Sequence, residues 1–442
     1  MRYNIAHRAV TRTFVVFALG LMVVASLGTA RAGITERVSV ASDGTQGNAP
    51  SRFPSISADG RYVAFASSAT NLVPGDTNAR GDVFVRDRQT SQTTRVSIAS
   101  DGSQGKRSSS SPFISPDGRF VAFSSAAGNL VAGDTNGYWD VFVHDRQTAQ
   151  TTRVSVASGG GQGNDDSDCP SINADGRFVA FWSGAENLVP GDTNLKADVF
   201  VHDRQTGQTT RVSVASDGAQ GNSVSHGGPI SADGCFVAFD SWATNLVAGD
   251  TNEYSDVFVR DRHTGQTTRV SMASDGTQAN RYSLYPSISA DGRYVGFVSG
   301  ATNLVPGYTD PTTDVFVRDR QTGQTTLVSV ASDGTQGNNP SEPPAISADG
   351  RFVAFFSWAT NLVPADTNGV HDVFVHDRGG PSLPADVNGD CVVNILDLLA
   401  VRNRLGQDPT SGDNWRADVN GDGAINILDL IFVRNELGTA CE

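Results

Sequence analysis

The stretch Ser57-Ala58-Asp59-Gly60-Arg61-Tyr62-Val63-Ala64-Phe65, followed by Asp82-Val83-Phe84-Val85-Arg86-Asp87, decides how this chain is read. Asp59-Gly60 is a strong hairpin signal, because few residues other than Gly, Asn and Asp tolerate the positive φ of a tight turn. Tyr62 to Phe65 and Val83 to Val85 are apolar on successive residues, as expected of strands covered on both faces. Upstream, Pro54-Ser55-Ile56-Ser57 forms the other arm of the hairpin. The loop Gly75-Asp76-Thr77-Asn78 separates the two apolar strands. A turn around Arg88-Gln89-Thr90 then leads into Thr94-Arg95-Val96-Ser97-Ile98, where apolar and polar residues alternate as on a half-exposed edge. The module is four short strands without helical periodicity.

This module recurs. Arg37-Val38-Ser39 returns at Arg95, Arg153, Arg211 and Arg269 and then as Leu327-Val328-Ser329, each step 58 residues long. The Asp-Gly turn ends at Gly60, Gly118, Gly176, Gly234, Gly292 and Gly350, with the same spacing. Six equal units mean one structural module used six times. Two doubly covered strands and one exposed edge fit a four-stranded blade sandwiched between neighbours. The fold class is therefore mainly β, a six-bladed β-propeller spanning residues 33–378. One fourth strand (Thr35 to Val40) precedes the first trio of strands, and the last trio has none after it. The N-terminal strand is expected to complete the last blade and close the ring. The quoted run resembles the WD-repeat-like blades of TolB-type propellers, a likeness that implies fold and little about function.

The chain has 442 residues, a formal net charge of −14 and 18 % charged residues. Such acidity argues against a nucleic-acid partner, which requires a basic footprint, and against an anionic membrane. Residues 1–32 read as an export signal: Arg2, Arg8 and Arg12 precede an apolar run from Phe14 to Leu27, then Ala30-Arg31-Ala32. That core is too short to span a bilayer, which needs about 20 residues. The chain after Ala32 is expected to be secreted (extracellular, cell-surface or periplasmic), without a membrane span, and monomeric. Of its charge, −6 falls on residues 385–442 and −12 on the propeller.

Strands alternate in direction, so loops alternate between two faces. The connections between units differ most: Ala49-Pro50-Ser51-Arg52, Asp165-Asp166-Ser167-Asp168, Ser223-Val224-Ser225-His226 and Arg281-Tyr282-Ser283-Leu284. A repeated scaffold with a diversified rim has the form of a recognition surface, and drift at tolerant loops is the plain counter-reading. Asp76-x-Asn78-x3-Asp82 and its copies suit either turn closure or a cation. No Gly-x-Ser-x-Gly elbow is present. His144, His202 and His376 stand where other units carry Arg86, Arg260 and Arg318, and read as solvated or blade-edge residues. His226 and His371 lie on the variable face. Asp165, Asp166 and Asp168 invite comparison with a glycosidase carboxylate pair, and equally form a solvated acidic loop. Cys169 and Cys235 read as buried thiols or a bridge between adjacent blades.

After a linker at residues 379–384, the segment 385–442 carries the densest chemistry. Asp386-x-Asn388-x-Asp390 precedes Asn394 and Asp397, and Asp418-x-Asn420-x-Asp422 precedes Asn426 and Asp429. Side-chain oxygens at loop positions 1, 3, 5, 9 and 12, with the carbonyls of Val392 and Ala424 at position 7, form a hard-oxygen set for calcium. Each loop runs into an apolar helix. Two such loops 32 residues apart, each with one following helix, resemble the type I dockerin module, a small α-helical EF-hand-like domain. The resemblance implies two calcium ions, calcium-dependent folding and docking onto a cohesin-type receptor. It also implies that positions 10 and 11, here Ile395-Leu396 and Ile427-Leu428, choose the partner. Val-Arg-Asn in each helix departs from the family's Lys-rich pattern. Cys391 replaces the usual bend glycine, at a cost of about 1 kcal/mol. Because dockerin modules bring their ends together, Cys391 and Cys441 are expected to bridge, contributing roughly 4 kcal/mol.

These readings together describe a secreted, non-catalytic binding protein whose propeller recognises a glycan or protein ligand. The dockerin-like module would deliver it to its receptor. The alternatives are a carbohydrate-active enzyme, which would be a glycoside hydrolase acting on polysaccharide, and a structural spacer of an extracellular assembly.

Overall fold

A computed structural model describes residues 36–310, 312–364, 366, 370–378, 393, 395–407, 425–435 and 437. The first blade is built from β1 (Ser51–Ile56), β2 (Tyr62–Ser67), β3 (Asp82–Asp87) and β4 (Gln92–Arg95), hydrogen-bonded in that order and antiparallel throughout. Four further four-stranded sheets repeat it, and the sixth, Ala345–Ile346, Phe352–Ser357 and Asp372–Asp377, shows three strands among the described residues. The fold is a mainly β six-blade propeller. The fourth strand is shorter than the sequence suggests. After Arg95 the chain leaves the sheet, because Val96 turns inward to the core and Ser97 to a buried aspartate.

Alternation places the apolar residues. Ala64, Val83, Val85 and Val96 of blade one pack against Ile114, Phe123, Ala127, Leu130 and Phe142 of blade two, and four more clusters repeat this along the chain. Val83 and Val85 face forward, while Phe84 faces backward and stacks on Phe65 with ring centroids 5.9 Å apart. Five of the propeller's six core clusters among the described residues thus lie in seams between blades, the sixth being Phe65, Ala69, Leu72 and Phe84 of blade one.

Two polar devices stand at opposite ends of the blades, one across each seam and one within the blade and its outgoing connection. At the hairpin end, Tyr62 lies against Gly118 of the next blade, so close that a methyl group on that glycine would sit 2.2 Å from the ring. The ring is sandwiched between Arg61 of its own blade and Arg146 of the next, at 4.7 and 4.2 Å from its centroid, an arrangement favourable to cation–π attraction. Arg61 also holds Asp87 through two bonds of 3.0 and 2.7 Å. Cys235 replaces this arginine in blade four, and Phe236 keeps only Arg320 of the following blade. Both Cys235 and Cys169 are free thiols.

At the loop end, the Asp-x-Asn pattern is explained without a cation. The Arg211 guanidinium sits 3.2 Å from both Asp192 and Asp198, and three other blades repeat the pair of contacts. Asp198 accepts further bonds from Ser213 and Gln220. Desolvation raises the pKa of the buried Asp198, and the Ser213 bond and the Arg211 guanidinium oppose the rise. Blade five departs in two places at once: Tyr308 replaces the first aspartate and Leu327 the arginine. The Tyr308 hydroxyl donates to Asp314 at 2.7 Å, and burial pushes the Asp314 carboxyl up to about 6.

His144 and His202 correct the expectation of solvated residues. Both are buried, each with Nδ1 2.9 Å from a threonine hydroxyl, and desolvation lowers their pKa, that of His202 to about 4.

Two outcomes follow for urea unfolding of the full chain. Gly191→Ala, at positive φ in open space, should cost about 1 kcal/mol, whereas Gly176→Ala, which also meets the Phe120 ring, should cost roughly 2–4 kcal/mol. Arg269→Leu should cost roughly 3 kcal/mol by stranding Asp250 and Asp256, and adding Asp250→Tyr should recover at least half of that loss. Equal glycine costs, or no recovery, would contradict the seam assignments.

Candidate functional site: a diversified rim and a C-terminal docking segment

The inner edge of each blade is where identical units stop being identical. In all six, a serine of the first strand region bonds a serine of the second, Ser51 to Ser67 and its copies, at 2.8–3.0 Å. One residue away, the cross-strand partners are Arg52–Ala66, Ser110–Ser124, Asp168–Trp182, His226–Asp240 and Leu284–Val298. Glu342 pairs with Phe356 in the sixth blade, its amide donating to the Phe356 carbonyl at 2.8 Å. Cross-strand partners share a face, so each blade presents one two-residue chemical unit, and no two blades present the same one. The loop position before the third strand varies as well, from Gly81 through Trp139, Ala197, Ser255 and Thr313 to His371. Trp139 and Trp182 occupy these columns, and Trp242 and Trp358 the equally varied column of Ser68, Ala126, Gly184 and Gly300, so four of the chain's five tryptophans lie here.

A bulge aims the rim. The register of the first strand shifts after residue 52 and its counterparts, and Phe53, Ser111, Cys169 and Tyr285 adopt φ of 50–54°. Left-handed backbone at a bulky residue costs on the order of 1–3 kcal/mol, a strain found mostly where a side chain must be placed for use. Phe53 and Tyr285 are each 56 % exposed.

Rim residues of neighbouring blades meet. Ser124 donates to Asp168 at 2.5 Å, the Tyr285 amide donates to Asp240 at 3.3 Å, and the Trp182 and His226 rings meet edge-to-face at 6.2 Å. His226 Nδ1 lies 3.8 Å from the buried Asp240 carboxylate, beyond hydrogen-bond length, and the attraction of that charge raises the His226 pKa. Phe356, Trp358 and His371 form an aromatic patch with centroids 5.2–5.9 Å apart. Between blades one and two, a cleft of about 400 Å³ is lined by Arg52, Phe53, Ser110 and Trp139 among others.

The sequence reading found the variable connections and singled out His226 and His371, both of which lie on this rim. It missed the columns of Ala66, Ser68 and Gly81, which a position-by-position alignment of the six units would have exposed. Asp165, Asp166 and Asp168 each accept a bond from a backbone amide, that of Asp166, Trp139 and Cys169 respectively, at 2.6–2.8 Å.

The C-terminal segment contains α1 (Ile395–Arg402) and α2 (Ile427–Asn435). They pack through a symmetric core of Val393, Val401, Ile425 and Val433, equivalent residues standing 32 apart. Asp397 and Asp429 are wholly buried in the first helical turns, and Asn426 accepts from the Leu428 amide at 2.7 Å while its own amide donates to Asp429. Buried carboxylates at duplicated loop ends fit a hard cation. Ile395 and Ile427 are each 61 % exposed and Leu428 54 %, leaving these duplicated positions open to a partner. Asp386, Asn388, Asp390, Val392, Asn394, Asp418, Asn420, Asp422, Ala424, the side chain of Leu396, and both Cys391 and Cys441 lie outside the described residues.

Residues 384–438 match the family model of the dockerin type I domain. Dockerin domains of this type bind calcium and imply a cohesin partner in general. No curated protein matches the chain. Among solved structures, the chain is similar to TolB from Acinetobacter baumannii (18 % identity, TM-score 0.38), covering 63 % of this chain and 53 % of that one. It therefore spans about half the length of that protein. A putative TolB from Agrobacterium tumefaciens is 16 % identical (TM-score 0.41; 74 % and 90 % covered). The β-propeller domain of the Trilobed protease from Pyrococcus furiosus is 11 % identical (TM-score 0.45; 75 % and 83 %). Among the described residues, no helix is long and apolar enough to cross a membrane.

The rim makes a titration testable. His226 should titrate above the ordinary imidazole pKa of about 6.5, and Asp240→Asn should bring it down. Because the folded-state pKa is raised, this pair stabilises fully at lower pH and the gain is lost as pH rises through the folded value. Histidine NMR of the two proteins reads the difference, and identical midpoints would contradict the pairing.

Proposed function

We propose that the chain is an exported, non-catalytic recognition protein. Its propeller rim binds a glycan or protein ligand, and its dockerin segment docks it to a cohesin-type receptor in a calcium-dependent way. The observation that carries the reading is the division within each unit: seam residues repeat while the paired rim positions all differ. Tryptophans, tyrosine, paired acids and a histidine on a rigid edge suit stacking against and hydrogen-bonding to a polar ligand. The dockerin match supports the second half. Asp386, Asn388, Asp390, Asn394 and Asp397 would hold one calcium ion with the Val392 carbonyl. Asp418, Asn420, Asp422, Asn426 and Asp429 would hold the other with the Ala424 carbonyl. Bound calcium would neutralise each acidic loop and fix its helix. Ile395, Leu396, Ile427 and Leu428 would then meet the receptor, duplicated so that either half can engage. A Cys391–Cys441 bridge would tie the ends of the module together.

The full chain should bind a cohesin-type receptor with calcium present and lose at least about 100-fold in affinity on chelation, with the strand signal in circular dichroism unchanged. Asp397→Ala/Asp429→Ala should reproduce that loss. Receptor binding indifferent to chelation would overturn the docking half. On glycan and peptide arrays the chain should retain a ligand, and Trp182→Ala/Trp358→Ala should weaken it at least tenfold. Release of reducing sugar from polysaccharide would instead establish a glycoside hydrolase, and the absence of any ligand would leave a spacer.

A further inference from the structure

At three successive junctions of the rim, the second-strand residue of one blade reaches the next blade. Ser124 bonds Asp168, the Trp182 ring meets the His226 ring, and Asp240 takes the Tyr285 amide. The junction of blades one and two is built differently. Blade one places Ala66 where blades three, four and six carry Trp182, Asp240 and Phe356. It places Gly81 where blades two, five and six carry Trp139, Thr313 and His371. Ala66 and Gly81 are the smallest residues of their columns. Nor does the backbone demand the glycine. Its φ is not positive, and an added methyl group would stand 3.5 Å from the Ser109 carbonyl and 3.9 Å from the Ser68 hydroxyl, which are ordinary contacts. Small side chains here leave the junction open.

The opening is the cleft of about 400 Å³ described above, inside the range of roughly 300–1,000 Å³ found for small-molecule sites. Phe53 of blade one and Trp139 of blade two give it aromatic surface. The left-handed bulge turns Phe53 outward, where it is 56 % exposed. Trp139 is fixed from blade three: its amide donates to Asp166 and its carbonyl accepts from the Ser167 amide, both at 2.8 Å. Ser67 and Ser109 are tied to Ser51 and Ser125. The hydroxyls of Ser68, Ser108 and Ser110, also in the lining, have no partner among the described residues, and neither has the Trp139 indole N–H.

Charge separates this junction from the rest of the rim. Arg52 is the one charged residue of the lining, and its exposed guanidinium has no ion pair among the described residues. Arg80 and Arg107, next in sequence to the lining residues Gly81 and Ser108, are exposed and of the same sign. The rim acids belong to other blades: Asp165, Asp166 and Asp168 to blade three, Asp240 to blade four and Glu342 to blade six. Asp166, which reaches Trp139, is engaged by its amide. An acidic propeller is thus cationic where its rim is open.

We propose that the junction of blades one and two binds the carboxylate-bearing sugar unit of an acidic glycan, a uronic acid. This rests on the recognition role proposed for the rim and adds to it a place and a charge preference. The apolar face of a pyranose ring suits the Phe53 and Trp139 rings, and its hydroxyls suit the unpartnered serines and the indole N–H. Arg52 supplies the planar fork that pairs with both oxygens of a carboxylate, a bond that the hydroxymethyl group of a neutral sugar cannot make. Open ring faces and short hydroxyls match a polyhydroxylated ring better than a peptide, which binds through main-chain pairing or apolar anchors.

The test titrates the full chain, by calorimetry, with a glucuronic acid oligosaccharide and with the same oligosaccharide after reduction of its carboxyl groups to alcohols. The acidic form should bind at least tenfold more tightly, and added salt should narrow that margin. Arg52→Gln should remove the margin by weakening the acidic form alone. Gly81→Trp introduces the residue that blade two already accommodates at this position. It should fill the cleft and weaken both forms at least tenfold, with the urea midpoint of the variant showing that it is folded. An unchanged margin in Arg52→Gln, or undiminished binding by Gly81→Trp, would overturn the assignment. Tighter binding of a glutamate-rich peptide than of the acidic sugar would overturn it too. If other ligands bind on the arrays and the acidic sugar does not, this inference alone fails. If nothing binds, the recognition role fails with it.

Discussion

A blade of this protein has no face that tolerates water. Val83, Val85 and Val96 point one way and Phe65 and Phe84 the other, and every one is buried in the first blade. Burying a side chain of this size contributes roughly 1.5–3 kcal/mol relative to leaving it exposed, so a lone blade would lose that contribution on the valine side, which blade two covers. Neighbours are therefore obligatory, and each must offer the same surface. This is the constraint from which the strict repeat length follows. An insertion at the seam would move an aromatic ring off its glycine or an arginine off its aspartates.

Constraint at the seam leaves freedom at the rim. The rim residues sit on the same strands as the core residues, one alternation away, and the Ser–Ser bond beside them holds backbone geometry while side chains vary. The left-handed bulge is retained even where Phe53 and Tyr285 make it costly. Were the inner edge only tolerant of drift, glycine would be the cheapest residue at that position, yet Gly227 is the only glycine in the column. Strain kept in bulky residues favours selection for what those side chains reach.

The blade, its hairpin and the dockerin-type segment were legible because their signals are local: Asp-Gly turns, paired apolar strands and a motif repeated 32 residues apart. The ring-on-glycine contacts were not, because each joins residues 56 apart whose meaning depends on the neighbouring blade. Gly118 reads as a turn glycine until Tyr62 is seen lying on it. Likewise His144 reads as a surface substitute for Arg86 until it is seen buried against the Thr151 hydroxyl. The rim was half legible. Its connections vary visibly, whereas Trp182 and Asp240 lie inside a strand pattern that reads as continuous core.

Blade five shows how such a network can change without failing. Two buried aspartates around one arginine carry a net negative charge in a place that water does not reach. Losing the arginine alone would leave both carboxylates uncompensated, and losing one aspartate alone would relax the repulsion but leave its space unfilled. Tyr308 fills the space with a ring against Phe316, at 5.4 Å between centroids, and its hydroxyl replaces the lost donor to Asp314. Leu327 then occupies the arginine's path as an apolar side chain packed against the seam core. The exchange trades an ion network for a hydrogen bond and more core. It also explains why the aspartate and the arginine leave together, being two ends of one interaction rather than two independent positions.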